Sequence, residues 1–176
     1  MLKSLFLMSL ITFVPALELR ASIPSGIFGT EVPWYVVLPV CVAVNIHVGL
    51  LVFWLLGPVS RLFRKWRWFD TKVWPRLERR QEKLRPYVER HGEWGVAVFI
   101  GVPLPGTGAI TGAFGAYLLR LNPRKFFVAN VAGVLMAGIA VTLVCLLIQK
   151  GALGEDSLLA RLFLNDGGAA IEKTVE

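Results

Sequence analysis

The sequence predicts an all-α integral membrane protein, built as an inverted repeat in which a re-entrant helical hairpin is followed by a transmembrane helix, twice over. Three observations predict it. The 176 residues are 55% hydrophobic with a mean hydropathy of +0.61, more apolar than a soluble domain uses. The cations are segregated, with eleven Lys and Arg between Arg61 and Arg90 and few in the stretches on either side. Two apolar stretches are long and unbroken, whereas two others are interrupted by proline and glycine.

The first half-repeat occupies residues 1–56. Residues 2–32 are apolar but carry Pro15, Glu18, Arg20 and Pro24, so they are expected to form a broken, re-entrant hairpin. Met1–Leu17 resembles a secretory leader, but Arg20 makes Ala21 a poor cleavage site, and the segment is expected to be retained. The helix 34–56 follows, long enough for the roughly 20 residues a bilayer requires, and Gly57-Pro58 is expected to stop it.

Residues 57–93 read as a basic cytoplasmic loop. Trp66, Trp68, Phe69 and Trp74 alternate there with cations, the composition of an interfacial helix on anionic lipid. The second half-repeat occupies 94–148: a hairpin over 94–119, broken at the run Pro103 to Gly108, and a spanning helix over 125–148. Its halves of about ten residues reach roughly 15 Å each, half a membrane. Arg120, Arg124 and Lys125 decide between crossing and returning. If 94–119 crossed, this basic turn would lie outside, against the positive-inside rule; if it returns, both basic clusters lie inside. Residues 149–176 form a tail in which no chemistry is read.

The repeat has a spacing signal as well. Ser22, Gly26 and Gly29 correspond to Gly108, Gly112 and Gly115 at a constant shift of 86, and Asn45 and Asn130 fall one residue from it. Steps of four and three place each trio on one helix face.

Candidate site residues follow from cost. Glu18 and Arg20 would each cost about 2.5–3.5 kcal/mol at mid-membrane, and such residues usually mark a transport path; the bland alternative is a shallow segment whose charges reach the interface. Two residues apart, they point in nearly opposite directions on a regular helix, so a direct pair needs the broken backbone that Pro15 and Pro24 allow. Pro103 and Pro105 end one half-helix, Gly106 and Gly108 free the backbone, and unpaired N–H groups near Thr107 to Ile110, with Thr111 beyond, form an end that attracts anions. The structural alternative is close helix packing through glycine. Asn45 and Asn130 need buried partners. Beside Asn130, the stripe Ala129, Gly133, Ala137 reads first as helix packing and second as a cavity wall. His47 lies on nearly the opposite face from Asn45, with a proton relay as its less favoured reading.

Two cysteines and two histidines, far apart, give no disulfide framework, metal site or cofactor. No nucleophile–base–orienter set is visible, so no enzyme is expected, and the placement of the +7 charge beside apolar segments argues against nucleic acid. The expected partners are membrane lipids and a second copy of the chain, since two spanning and two half-spanning elements are thin for enclosing a path alone.

The run Glu18-Leu-Arg-Ala-Ser-Ile-Pro24 with Gly26, the run Pro103-Leu-Pro-Gly-Thr-Gly-Ala109, and the region Gly133 to Gly138 resemble the small multidrug export protein family, which is similar to the DedA-type superfamily. That resemblance implies paired re-entrant hairpins, an inverted repeat and a multi-pass place in the bacterial or archaeal cytoplasmic (inner) membrane. DedA-type relatives are associated with moving lipids such as polyprenyl phosphates. This chain departs from their pattern in having no acidic residue beside Pro103 and Pro105, which puts proton coupling at that loop in doubt.

Three functions are therefore expected. The first is a translocase of an anionic amphiphile or lipid bound at mid-membrane between the two broken segments, with Arg20 holding the charge, Gly106 to Gly108 supplying backbone donors, and Glu18 orienting Arg20 or taking a proton. The second is a proton-coupled small multidrug exporter with Glu18 as the binding carboxylate. The third is a non-transporting membrane scaffold acting through the basic loop.

Overall fold

A computed structural model describes residues 18–65, 92–102 and 107–151. Every regular element among them is a helix: α1 (Glu18–Gly29), α2 (Trp34–Arg64), α3 (residues 92–101), α4 (Ala109–Leu118) and α5 (Pro123–Gln149). The expected features at 2–17, at 66–91, at Pro103, Pro105 and Gly106, and in the tail from 152 onward lie outside the described residues.

Two helices, over Trp34–Leu62 and Pro123–Gln149, are long and apolar enough to cross a membrane. Their surroundings separate a membrane from a soluble core. Only 33% of the apolar window of the first and 44% of the second is buried within the protein. The outward faces carry Leu51, Trp54 and Leu55 on α2 and Ile139, Leu143 and Leu147 on α5, all exposed. An exposed apolar surface of this extent belongs against lipid.

α2 and α5 pack together and carry the shorter helices. Phe53 of α2 stacks on Phe126 of α5, with ring centroids 4.4 Å apart. A Cβ on Gly138 of α5 would lie 2.7 Å from Val42 of α2. α3 presses on α5 through small residues: a Cβ on Gly133 would stand 2.6 Å from the Ala97 carbonyl oxygen, and one on Gly101 would meet the Met136 side chain. Glu93, at the start of α3, pairs with Lys125 in the first turn of α5 at 3.3 Å. A hydrogen bond from its own backbone N–H, together with Lys125, holds the Glu93 carboxyl below the usual carboxylate range. α4 lies against α2 and α5, and α1 packs on the same two helices.

The helix ends follow from local chemistry. The Asn122 side chain accepts from Arg124 N at 3.0 Å and caps α5, with Pro123 in the first turn. α4 ends in a Schellman arrangement: Leu121 N donates to Ala116 O and Arg120 N to Tyr117 O, with Arg120 itself at φ 52.

Two expectations fail. α2 does not stop at Gly57-Pro58; it continues to Arg64, so the connecting segment begins at least eight residues later than the predicted 57. Proline removes one donor and crowds the carbonyl four residues back, but the turn beyond it is held from outside the helix backbone. The Ser60 hydroxyl bonds the Gly57 carbonyl at 2.9 Å and lies 2.6 Å from the Tyr117 hydroxyl of α4, and Arg61 Nε also reaches the Gly57 carbonyl. Pro24, likewise, sits inside α1 and does not break it. The backbone irregularity of this segment falls at Glu18, with φ 35.

Candidate functional site

The site is assembled where the first turns of α1 and α4 meet the middles of α2 and α5. Glu18 is its centre. Its side chain is buried, and its carboxylate takes three donors: Ala109 N at 2.7 Å, Ile110 N at 3.0 Å and Asn45 Nδ2 at 3.3 Å. Two of these are the first N–H groups of α4, which have no partner within their own helix. Glu18 therefore caps a helix 91 residues away, placing negative charge at its positive end.

Gly108 makes the approach possible. It has φ 140 and ψ −176, a conformation essentially reserved for glycine. A Cβ there would run into the Glu18 carboxylate itself. The glycine thus serves twice, by turning the chain into α4 and by leaving room for the carboxyl group.

Asn45 and Asn130 are both fully enclosed. Asn45 donates to Glu18, while Asn130 Nδ2 donates to the Ile46 carbonyl of α2 at 3.0 Å. Gly49, one turn past Asn45, admits the Asn130 carboxamide and Ala109 together: a Cβ on it would fall 2.6 Å from Asn130 Oδ1 and 3.0 Å from Ala109 Cβ. Asn45, Ile46 and Gly49 of α2, Asn130 of α5, Ala109 of α4 and Glu18 of α1 thus form one polar junction inside an apolar molecule.

Of the residues singled out in the sequence, Glu18, Asn45, Gly108 and Asn130 come together here. Arg20 is buried in the same first turn of α1. Pro24 is buried further along α1 and takes no part in the junction. Thr107 donates to the Val102 carbonyl at 2.5 Å and so ties the entry of α4 to the end of α3, while Thr111 donates to the Gly108 carbonyl at 3.3 Å within the first turn of α4. His47 is exposed on α2, with Nδ1 on the Ala43 carbonyl at 2.7 Å, and faces away from Glu18.

The anion-attracting end near Thr107 to Ile110 is where the sequence put it, but its donors at Ala109 and Ile110 hold the chain's own carboxylate. Sequence reasoning missed Gly49, whose only signal is being a glycine four residues from a buried asparagine. Among the described residues, no group of three or more His, Cys, Asp and Glu is placed to hold a metal ion.

One side of the junction is closed by rings. Phe53 and Phe126 stack there, and Tyr117 meets Phe53 edge-on at 6.4 Å. Phe126 is wholly buried. The other side, toward the start of α2, holds Ser22, Cys41 and Thr142, all buried.

The family described as "Putative small multi-drug export protein" matches residues 18–140, well over half of the chain and inclusive of the whole junction. No curated protein and no solved structure matches the chain.

Proposed function

The chain belongs to the small multi-drug export protein family, and from that premise we propose that it is an integral membrane transporter that exports small molecules, with Glu18 as the coupling carboxylate. One observation carries the reading: a buried carboxylate joins the first half of the chain to the unpaired start of α4 in the second. As an anion Glu18 only accepts, and it holds two N–H groups and Asn45 at once. Once protonated it gives up part of that acceptor capacity and loses its attraction to the helix end. Proton or cation binding at Glu18 thus loosens the contact between the halves, which is the coupling a transporter needs.

The re-entrant architecture belongs to this proposal, and the packing supports it. α3 runs beside α5 in the same direction, Glu93 meeting Lys125 and Ala97 meeting Gly133. α5 runs against α2, since Phe126 meets Phe53 and Gly138 meets Val42. α4 runs along α2, from Ala109 at Gly49 to Tyr117 at Ser60. α3 and α4 are then antiparallel, with their open ends level with the start of α5. At roughly 15 Å each they reach about half of a 30 Å hydrocarbon core. α1 descends from Asn45 toward the start of α2 in the matching way. Arg61 at the end of α2 and Lys65 just past it lie level with Arg124 and Lys125 at the start of α5, which supports a cytoplasmic location for this end; a place in the cytoplasmic membrane is part of the proposal. A homodimer completes the reading, because so few helices enclose little.

A second reading keeps the anionic amphiphile or lipid as cargo. It is favoured by the α4 terminus itself, which demonstrably suits a carboxylate and would suit a headgroup phosphate when Glu18 withdraws.

The two are separated by Glu18→Gln and Arg20→Ala in everted vesicles, where export appears as uptake of a fluorescent cationic dye from the medium, alongside flipping of labelled anionic lipid in liposomes. Glu18→Gln is expected to lower dye export at least 10-fold. Dye export at the wild-type rate in Glu18→Gln sinks the coupling role. Loss of lipid movement in Arg20→Ala with dye transport absent throughout selects the second reading. If all variants are inert in both assays while basic-loop variants have a phenotype, the protein is a scaffold.

A further inference from the structure

We propose that a hydrated polar track leads from Glu18 past Ser22, Cys41 and Thr142 to the membrane face where α2 begins, and that water and protons reach the carboxylate through it. The inference rests on the transporter reading of Glu18 and adds its side of access.

The track is a register effect. Glu18 and Ser22 are four apart on α1, and Cys41 and Asn45 are four apart on α2, so each pair shares a helix face. The helices run oppositely, and the pairs meet as two rungs: Glu18 with Asn45, and the Ser22 hydroxyl beside the Cys41 thiol. Thr142 supplies the next level from α5. It lies one turn beyond Gly138, which faces Ile23, Val42 and Leu38, and that direction leads to the start of α2. All four residues beyond the carboxylate, Ser22, Cys41, Asn45 and Thr142, are at most 3% exposed.

Their hydrogen bonding is incomplete. Thr142 Oγ1 and Asn45 Oδ1 are buried with no partner, and Ser22 Oγ has only the neighbouring Cys41 thiol, a weak one. A helical hydroxyl can usually turn to the carbonyl one turn back, as Ser25 does toward Ala21 and Thr30 toward Gly26. Ser22 and Thr142 do not. Orphaned polar atoms in a packed interior are costly, and several along one line are what a file of water molecules satisfies. On the opposite side of Glu18, Asn130 Oδ1 is likewise buried without a partner, but it stands alone at Gly49, and beyond it the rings of Phe53, Phe126 and Tyr117 close the way. Access is therefore one-sided in this conformation. The charged and titratable groups around the path are Glu18 and Arg20 on α1, Cys41 on α2 and Cys145 on α5; α4 contributes backbone N–H groups.

The chain carries its own probe, since Cys41 and Cys145 are its two cysteines. In full-length Cys145→Ala, Cys41 is the single thiol; Cys145→Ser serves if the alanine variant fails to accumulate. A small, membrane-impermeant cationic methanethiosulfonate is added to right-side-out or to everted vesicles, and the rate of modification is read by mass. Modification of Cys41 is expected to be at least 10-fold faster from the external side. Ser22→Val and Thr142→Val, each in the same background, should slow it at least 5-fold. Failure of Cys41 to react from either side, equal rates from both sides, or rates unmoved by both valine variants would overturn the track. The transporter reading is tested separately by Glu18→Gln, whose outcome does not depend on thiol access.

Discussion

Glu18 and Gly108 are a pair that neither residue announces alone. Glu18 was legible as an expensive charge in an apolar stretch, and Asn45 and Asn130 as buried amides in need of partners. What the sequence could not carry was the identity of those partners. The meeting of Glu18 with Ala109 spans 91 residues, and no local pattern encodes a contact at that separation. Reading the α4 terminus as an anion site was chemically sound, but the nearest anion was already in the chain. At this scale we expect Gly108→Ala to be severe. It forces a Cβ into a conformation that costs about 1–3 kcal/mol for a non-glycine residue and also displaces the carboxylate. Thermal unfolding in detergent should show the loss of stability, and transport should fall with it. An alanine variant with wild-type stability would mean that the Glu18–α4 contact is dispensable.

At the scale of elements, the long helices were easy to read and their ends were not. Twenty or more apolar residues in sequence admit few alternatives, so α2 and α5 follow from hydropathy. Pro24 and Pro58 misled, because proline breaks a helix only where nothing else holds the turn. At Pro58 the support comes from Ser60 and Tyr117, the latter on α4 and far away in sequence. The repeat is a similar case. The shift of 86 pairs Ser22, inside α1, with Gly108, ahead of α4, whereas the helix starts at Glu18 and Ala109 differ by 91 and those at Trp34 and Pro123 by 89. Small residues at helical spacing thus locate packing faces better than they locate register. The ring stack is the element-level contact with most to lose. Phe126 is fully buried, and Phe126→Ala should cost about 3–5 kcal/mol, read as a lowered denaturant midpoint. The same variant opens the closed side of the junction, so it should also raise reagent access to Cys41 from the cytoplasmic face. A variant that does neither leaves the ring stack without a structural or gating role.

For the whole molecule, the proposed topology rests on the charge distribution rather than on any motif, since a returning 94–119 keeps the basic clusters on either side of it on one face. Labelling of single cysteines at Arg80 and Asn122 in the cysteine-free chain tests this directly. Both positions are expected to react from the cytoplasm, with position 150 reacting from outside; reaction of 122 from the exterior would make 94–119 a crossing segment. The capping of α4 by Glu18 also has a consequence for how the protein is made. Chains grow at about 5–20 residues per second, so the 91 residues between Glu18 and Ala109 take roughly 5–20 s to emerge. For that interval the leading half waits in the membrane with an acidic group whose donors have not yet been synthesised. A protonated carboxyl is the cheapest form in which to wait, and the backbone N–H donors of Ala109 and Ile110 reach it only when the second half of the chain arrives.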